Sequence, residues 1–235
     1  MHGSIEEIQI AGLSCMLYLP DGYGVHDICY PVVYINGEAP VKEILAELKK
    51  ADVPAKFLLL AIKPQNWNDD FTPWKSPAFR KGEEAPKGNA DLYIEKLAGK
   101  IKPYMDGHFR TKQKDCILLG YSLGGLTALY TLYKTDLFTK IGTVSGSLWY
   151  DGFTELIERR PLEKENLHIY LSLGKKETQS RNPRMGRVAE CTDRIQVMLK
   201  KSLGEEQVLF EWNDGGHFHE IPKRFAKALQ WLLRI

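Results

Sequence analysis

No run in this sequence is long and apolar enough to span a bilayer. The most apolar stretch, Phe57-Leu58-Leu59-Leu60-Ala61-Ile62, falls far short of the roughly 20 residues a membrane helix needs. The N-terminus, Met1-His2-Gly3-Ser4-Ile5-Glu6-Glu7, has no basic segment followed by an apolar one, so no secretory signal is expected there. Cysteine is scarce. The four present, Cys15, Cys29, Cys116 and Cys191, are scattered with no C-x-x-C spacing, which reads as reduced thiols in a cytoplasmic protein. An excess of one charge is also missing: 32 Lys and Arg stand against 30 Asp and Glu, a net charge of +2. That balance excludes nucleic acid or an anionic membrane as the main partner. There is no G-x-G-x-x-G and no P-loop after an early strand, so no nucleotide cofactor is implied. His217-x-His219 offers too few ligands, at poor spacing, for a structural zinc, so no metal is expected. Internal repeats, low-complexity tracts and linkers are absent too.

What remains fits one α/β domain spanning residues 1–235, with a hydrophobic content of 43% that suffices for a sizeable core. Strand-like and helix-like stretches alternate, which argues for a mostly parallel sheet with helices on both faces. Ile5 to Leu19 reads as two short antiparallel strands turning near Gly12. Strands are expected at Pro31–Ile35, Phe57–Ile62, Cys116–Leu119, Ile141–Ser145, Leu167–Leu173 and Val208–Trp212. Helices are expected over Val41–Ala51, Ala90 to about His108, Leu123 to about Lys134, Arg184–Leu203 and Ile221–Leu233. Residues 63–88 are rich in Pro, Trp, Asn and charge without periodicity. A loop that long in a compact domain is usually functional or disordered, and Trp67 and Trp74 favour an ordered, cap-like one.

Gly120-Tyr121-Ser122-Leu123-Gly124 is a G-x-S-x-G motif set between a strand and a helix, the context of a nucleophile elbow. The tight turn exposes the Ser122 hydroxyl at a helix N-terminus, where free N–H groups favour developing negative charge. The competing structural reading is a Gly-rich turn without chemistry. A serine hydroxyl needs a base. In this arrangement the order along the chain is Ser, acid, His. His217 follows Asp214-Gly215-Gly216 in the loop between the last strand and last helix, and is the expected base. His219, two residues on, is assigned to the loop or to substrate contact. His2, His26, His108 and His168 lie elsewhere in the order. Glu177, in Gly174-Lys175-Lys176-Glu177, is the expected acid, with Asp214 as its rival. The oxyanion hole needs two N–H groups. Leu123 supplies one, and either Gly37 or Glu38 the other. Trp67 and Trp74 in the long loop, with Tyr121 and Trp149, are candidate pocket walls, with core packing as the alternative. Arg181, Arg184 and Arg187 read as a solvated helix face in preference to an anion site.

Several stretches together resemble the enterochelin-esterase-like and esterase D branch of the α/β-hydrolases. They are Asp70-Phe71-Thr72-Pro73-Trp74, Gly88-Asn89-Ala90-Asp91, Ile101-Lys102-Pro103-Tyr104 through Arg110-Thr111, Gly120 to Leu126, Val144-Ser145-Gly146-Ser147-Leu148-Trp149-Tyr150, and Gly215-Gly216-His217 with Trp231-Leu232. The resemblance implies an α/β-hydrolase fold, places Ser122, Glu177 and His217 in the triad positions, and favours Glu38 for the second oxyanion amide. Glu177 is similar to the acid of the siderophore-esterase branch, where many esterase D relatives carry Asp. The expected function is hydrolysis, through an acyl-enzyme, of a small, aryl or siderophore-like carboxylic ester. A small-molecule ester is the expected partner, with no cofactor. Acyl transfer to an alcohol, or a non-catalytic binding protein on the same fold, are the alternatives.

Overall fold

The β-branched and Leu-rich runs pair into an eight-stranded sheet of order β1-β2-β4-β3-β5-β6-β7-β8. A computed structural model describes residues 3–25 and 27–235. His2 and His26 lie outside them. β1 (Ser4–Ile10) and β2 (Leu13–Leu19) form an antiparallel hairpin, and β2 pairs antiparallel with β4 (Leu58–Ile62). The remaining neighbours are parallel: β3 (Tyr30–Asn36), β5 (Thr111–Tyr121), β6 (Lys140–Val144), β7 (His168–Gly174) and β8 (Val208–Asn213). β4 is buried and apolar throughout, as a strand covered on both faces of the sheet must be.

Two helices cover one face. α1 (Val41–Lys50) buries Val41, Ile44, Leu45 and Leu48, and α9 (Ile221–Leu232) buries Phe225, Ala226, Ala228, Leu229 and Leu232. Each fully buried large aliphatic side chain contributes about 1.5–3 kcal/mol over its exposed state. The opposite face is packed by α3 (Ala90–Lys96), α4 (Lys102–His108), α5 (Leu123–Thr131), α6 (Phe153–Arg159) and α8 (Val188–Leu203). Short α2 (Trp67–Asp70) and α7 (Pro183–Gly186) sit above the carboxyl ends of the strands.

The departures from sequence expectation have local causes. The helix from Ala90 to His108 widens into a π-turn over Leu97–Ile101. Pro103 would otherwise drive its ring against the carbonyl four residues back, that of Gly99, inside the widened turn. The helix expected over Arg184–Leu203 is split at Arg187, because Asn182 caps its own short turn through the amides of Arg184 and Met185. β5 starts at Thr111, well before the apolar run at Cys116, its exposed polar end still paired to β3 at Tyr30. α6 was not anticipated.

Residues 63–88 form an ordered roof. The Asn66 side chain caps α2 by accepting from the Asp69 amide, and the Asp69 carboxylate accepts from the Lys87 amide. With the Asn89 amide donating to the Asp69 carbonyl, the two ends of the roof meet at one residue. Its far side is tied down by Trp74, whose Nε1 donates to the Asp151 carbonyl at 2.9 Å, and by Asn182, which donates to the Phe79 carbonyl at 2.7 Å. Arg184 does not present a solvated face. It donates to the Asp151 carboxylate, to Ser76 Oγ and to the carbonyls of Pro77 and Ala78, and it lies over the Phe79 and Trp149 rings.

The four cysteines are free, and burial pushes the thiols of Cys15 and Cys116 up to about 11, so both stay protonated and inert. No helix among the described residues is long and apolar enough to cross a membrane.

Candidate active site

β5 ends at Tyr121, and α5 begins at Leu123, leaving Ser122 alone in the turn with φ 56° and ψ −122°. A non-glycine residue rarely adopts this conformation. It is held by the Ser122 amide donating to the Val144 carbonyl and by its own carbonyl accepting from Gly125, Leu126 and Ser147. The close approach of strand and helix requires Gly120, where a Cβ would lie 2.0 Å from the Gly124 carbonyl oxygen. Gly120→Ala is expected to destabilise the fold by about 3 kcal/mol, the upper end of overpacking penalties, because the obstacle is backbone and cannot rotate away. A thermal scan should register this as a midpoint roughly 6–12 °C lower.

The loops after β7 and β8 bring two side chains to this serine. Ser122 Oγ lies 3.1 Å from His217 Nε2, and His217 Nδ1 lies 2.7 Å from Glu177 Oε2. Burial pushes the Glu177 carboxyl up, but the hydrogen bond and charge of His217 and the Gly174 amide outweigh it, so the carboxyl is held below the usual range. An ionised carboxylate only accepts. Nδ1 is therefore the protonated nitrogen, and Nε2 faces Ser122 as the acceptor. Asp214, the rival acid, is exposed and pairs with Lys175 at 2.7 Å.

Glu177's second oxygen accepts from the Gly174 amide at 2.6 Å and from Arg224 Nη1 at 3.0 Å. Arg224 was missed in the sequence reading. It is 1% exposed and sits on the apolar face of α9 with Phe225, Ala228 and Leu229. The signal that was available is partial: Arg224 is followed by Phe225 and stands one helical turn before Ala228, both core positions, although Lys223 and Lys227 also adjoin it.

The expected oxyanion donors separate. The Gly37 amide donates to the Ile62 carbonyl at 2.9 Å, so the Gly37 assignment is corrected: the amide is committed to the sheet. Gly37 is instead needed for space, since a Cβ there would meet Trp67 at 2.7 Å. The amides of Glu38 and Leu123 make no hydrogen bond among the described residues.

A cleft of about 400 Å³ opens over Ser122. Its walls include Trp67, Phe79, Trp149, Met185 and Phe218, with Arg80 and Glu83 from the roof. Trp149 thus lines it, whereas three other expected contacts do not. Trp74 is turned away, its ring against Tyr130 and Tyr150 and its Nε1 bonded to Asp151. Tyr121 points to a neighbouring hollow shared with Glu38 and Phe225, where its ring supports the His217 imidazole 5.0 Å away. His219 is exposed beside Glu220 and outside the cleft, because the tight loop turns its ring back over Gly215. Trp67 and Phe218 are the aromatics that reach both hollows.

The chain is similar to several known proteins. The protein YbbA of Bacillus subtilis (strain 168) is 26% identical over 242 residues, covering 99% of this chain and 97% of its own. An IroE-like serine hydrolase from Shewanella oneidensis superposes with a TM-score of 0.80 at 18% identity, over 98% of this chain and 79% of that one. The siderophore hydrolase EstA from Aspergillus nidulans gives 0.76 at 19%, over 98% and 94%. These likenesses establish an α/β-hydrolase fold. The Putative esterase family matches residues 12–230, nearly the whole sequence, and this chain belongs to that family of hydrolases.

Proposed function

We propose that the chain hydrolyses carboxylic esters through an acyl-enzyme on Ser122, within one catalytic domain roofed by residues 63–88. The observation that carries this reading is the unbroken hydrogen-bonded line from Ser122 Oγ through His217 to Glu177. As Oγ attacks the carbonyl carbon, Nε2 takes its proton. The tetrahedral oxyanion is stabilised by the amides of Leu123 and Glu38. His217 then protonates the departing alkoxide, and the acyl group stays on Ser122. A water, deprotonated by the same nitrogen, releases the acid and restores the serine. Glu177 keeps the imidazole in the productive tautomer and stabilises the imidazolium.

The substrate we infer is a small or aryl ester. The aromatic lining of Trp67, Phe79, Trp149 and Phe218, in a volume at the low end of small-molecule sites, supports a flat group next to the carbonyl. The siderophore hydrolase among the structural neighbours supports extending the test to catecholate esters. Four free cysteines fit a reducing compartment, and the cytoplasm is the proposed location.

A fluorophosphonate probe is expected to label Ser122 stoichiometrically, with peptide mapping locating the adduct. Folded protein that stays unlabelled would instead favour a binding role. Acyl transfer is separated from hydrolysis by adding an alcohol acceptor during turnover of a p-nitrophenyl ester. Hydrolysis is indicated if free acid remains the main product.

A further inference from the structure

We infer that Arg224 is a positioning residue for this reaction: through Glu177 and the carbonyls of Asp214 and Gly216, just before His217, it fixes the acid and the base relative to one another. The inference rests on the triad reading above.

All of its partners belong to segments that carry the chemistry. Nη1 donates to Glu177 Oε1 at 3.0 Å and to Ser145 Oγ at 2.6 Å, while Nη2 donates to the carbonyls of Asp214 at 2.9 Å and Gly216 at 2.8 Å. Ser145 directly follows β6 in a left-handed conformation, φ 48°, and lines the cleft. Glu177 stands in the loop after β7. Asp214 and Gly216 stand in the loop after β8, and Gly216 directly precedes His217. One planar group on α9 therefore spans three loops, adding a side-chain fork to the backbone bonds from Lys175 to Asn213 and from Lys176 to Gly215 that already join two of them.

Burying a guanidinium is costly unless its donors are met. Here four of the five N–H bonds have acceptors and Nε–H has none. A residue that only filled the core would not need a charge, and the apolar neighbours on α9 show what that position otherwise holds. Geometry explains the choice of arginine. Nη1 reaches the carboxylate while Nη2 reaches the loop carbonyls, so the Glu177–His217 bond is closed into a ring by the fork. The single ammonium of lysine cannot occupy both places.

The test uses kcat and KM on a p-nitrophenyl ester for Arg224→Met, Arg224→Lys, Glu177→Gln and the Arg224→Met/Glu177→Gln double variant, each checked by a cooperative thermal transition. Methionine keeps the stem and its packing. Arg224→Met is expected to lower kcat about 10- to 100-fold, the cost of a misplacement of about 1 Å, with KM within about threefold. Arg224→Lys should recover little of that loss. Because Arg224 acts in part through Glu177, the loss in the double variant should fall well short of the product of the two single losses. Wild-type kcat in folded Arg224→Met, full rescue by lysine, or losses that multiply in the double variant would each overturn the inference. Should the methionine variant not fold, the lysine variant decides alone: a lower kcat at unchanged KM supports the inference, and wild-type kcat overturns it. Full activity in Glu177→Gln is a different failure, since it removes the triad reading and this inference with it.

Discussion

Replacing Ser122 with alanine is expected to lower kcat for ester hydrolysis about 10⁵- to 10⁶-fold, because nucleophile and base act as a unit and removing either member costs nearly what removing both does. The substitution deletes one oxygen in a turn whose strain is held by backbone bonds from Val144, Gly125, Leu126 and Ser147, none of which needs the hydroxyl. The fold, and with it KM for a slowly turned-over ester, should be retained. His217→Ala is expected to fall to a similar floor, and Ser122→Ala/His217→Ala to fall no further. Losses that multiplied in the double variant would contradict a shared proton path. Activity of Ser122→Ala near the wild-type level would remove the nucleophile assignment outright. The measurement needs protein free of contaminating esterase, so active-site titration should accompany the rates.

Glu177→Gln is expected to cost about 10³- to 10⁴-fold in kcat, since a neutral amide permits the wrong imidazole tautomer and cannot stabilise the imidazolium. Asp214→Asn, in the same loop as the base, should stay within about fivefold of wild type, because its exposed pair with Lys175 never touches His217. The contrast is sharp enough for crude kinetics to resolve. A pH signature accompanies it. The Glu177 carboxyl is held below its ordinary value, so its contribution to stability is complete above the unfolded value, about 4.3, and is lost as pH falls through the lower folded one. The thermal midpoint of wild type should therefore decline more steeply below about pH 4 than that of Glu177→Gln.

The strand–turn–helix around the nucleophile was legible because chemistry and periodicity coincide there. Cys116 to Leu119 is apolar, Gly120 and Gly124 allow the crossing, and the loops after β7 and β8 carry the polar candidates. The sequence favoured Glu177 over Asp214 because Asp214 shares the loop of His217, and it is Glu177 that stands 2.7 Å from His217 Nδ1. What escaped was direction. Tyr121 adjoins Ser122 in sequence, yet neighbouring residues of a strand point to opposite sides, and its ring falls behind His217. Trp74 sits in the right loop, but the bond to Asp151 turns it away from the cleft. Whether Gly37 or Glu38 offers a free amide depends on the pairing of Gly37 with Ile62, a contact across the sheet that no local pattern records. Arg224 was hidden by the habit of treating charge as surface. The position pattern of α9, with Ile221, Phe225, Ala228 and Leu229 around it, already contradicted that habit.

The roof over the cleft has a consequence beyond shaping it. Its two ends converge on Asp69, and its outer points rest on Asp151, Asn182 and Arg184, none of them a member of the triad. Segment 63–88 is thus a cassette with its own fastenings. Of the groups around Ser122 it supplies Trp67, Asn68, Phe79, Arg80 and Glu83, whereas Ser122, Glu177 and His217 stand in the turn and loops that follow β5, β7 and β8. A related segment that kept the Asp69 clasp and the Arg184 footing could be grafted in its place. Selectivity would then change while the proton path stayed as it is, which makes this stretch the natural target for randomised libraries aimed at new esters.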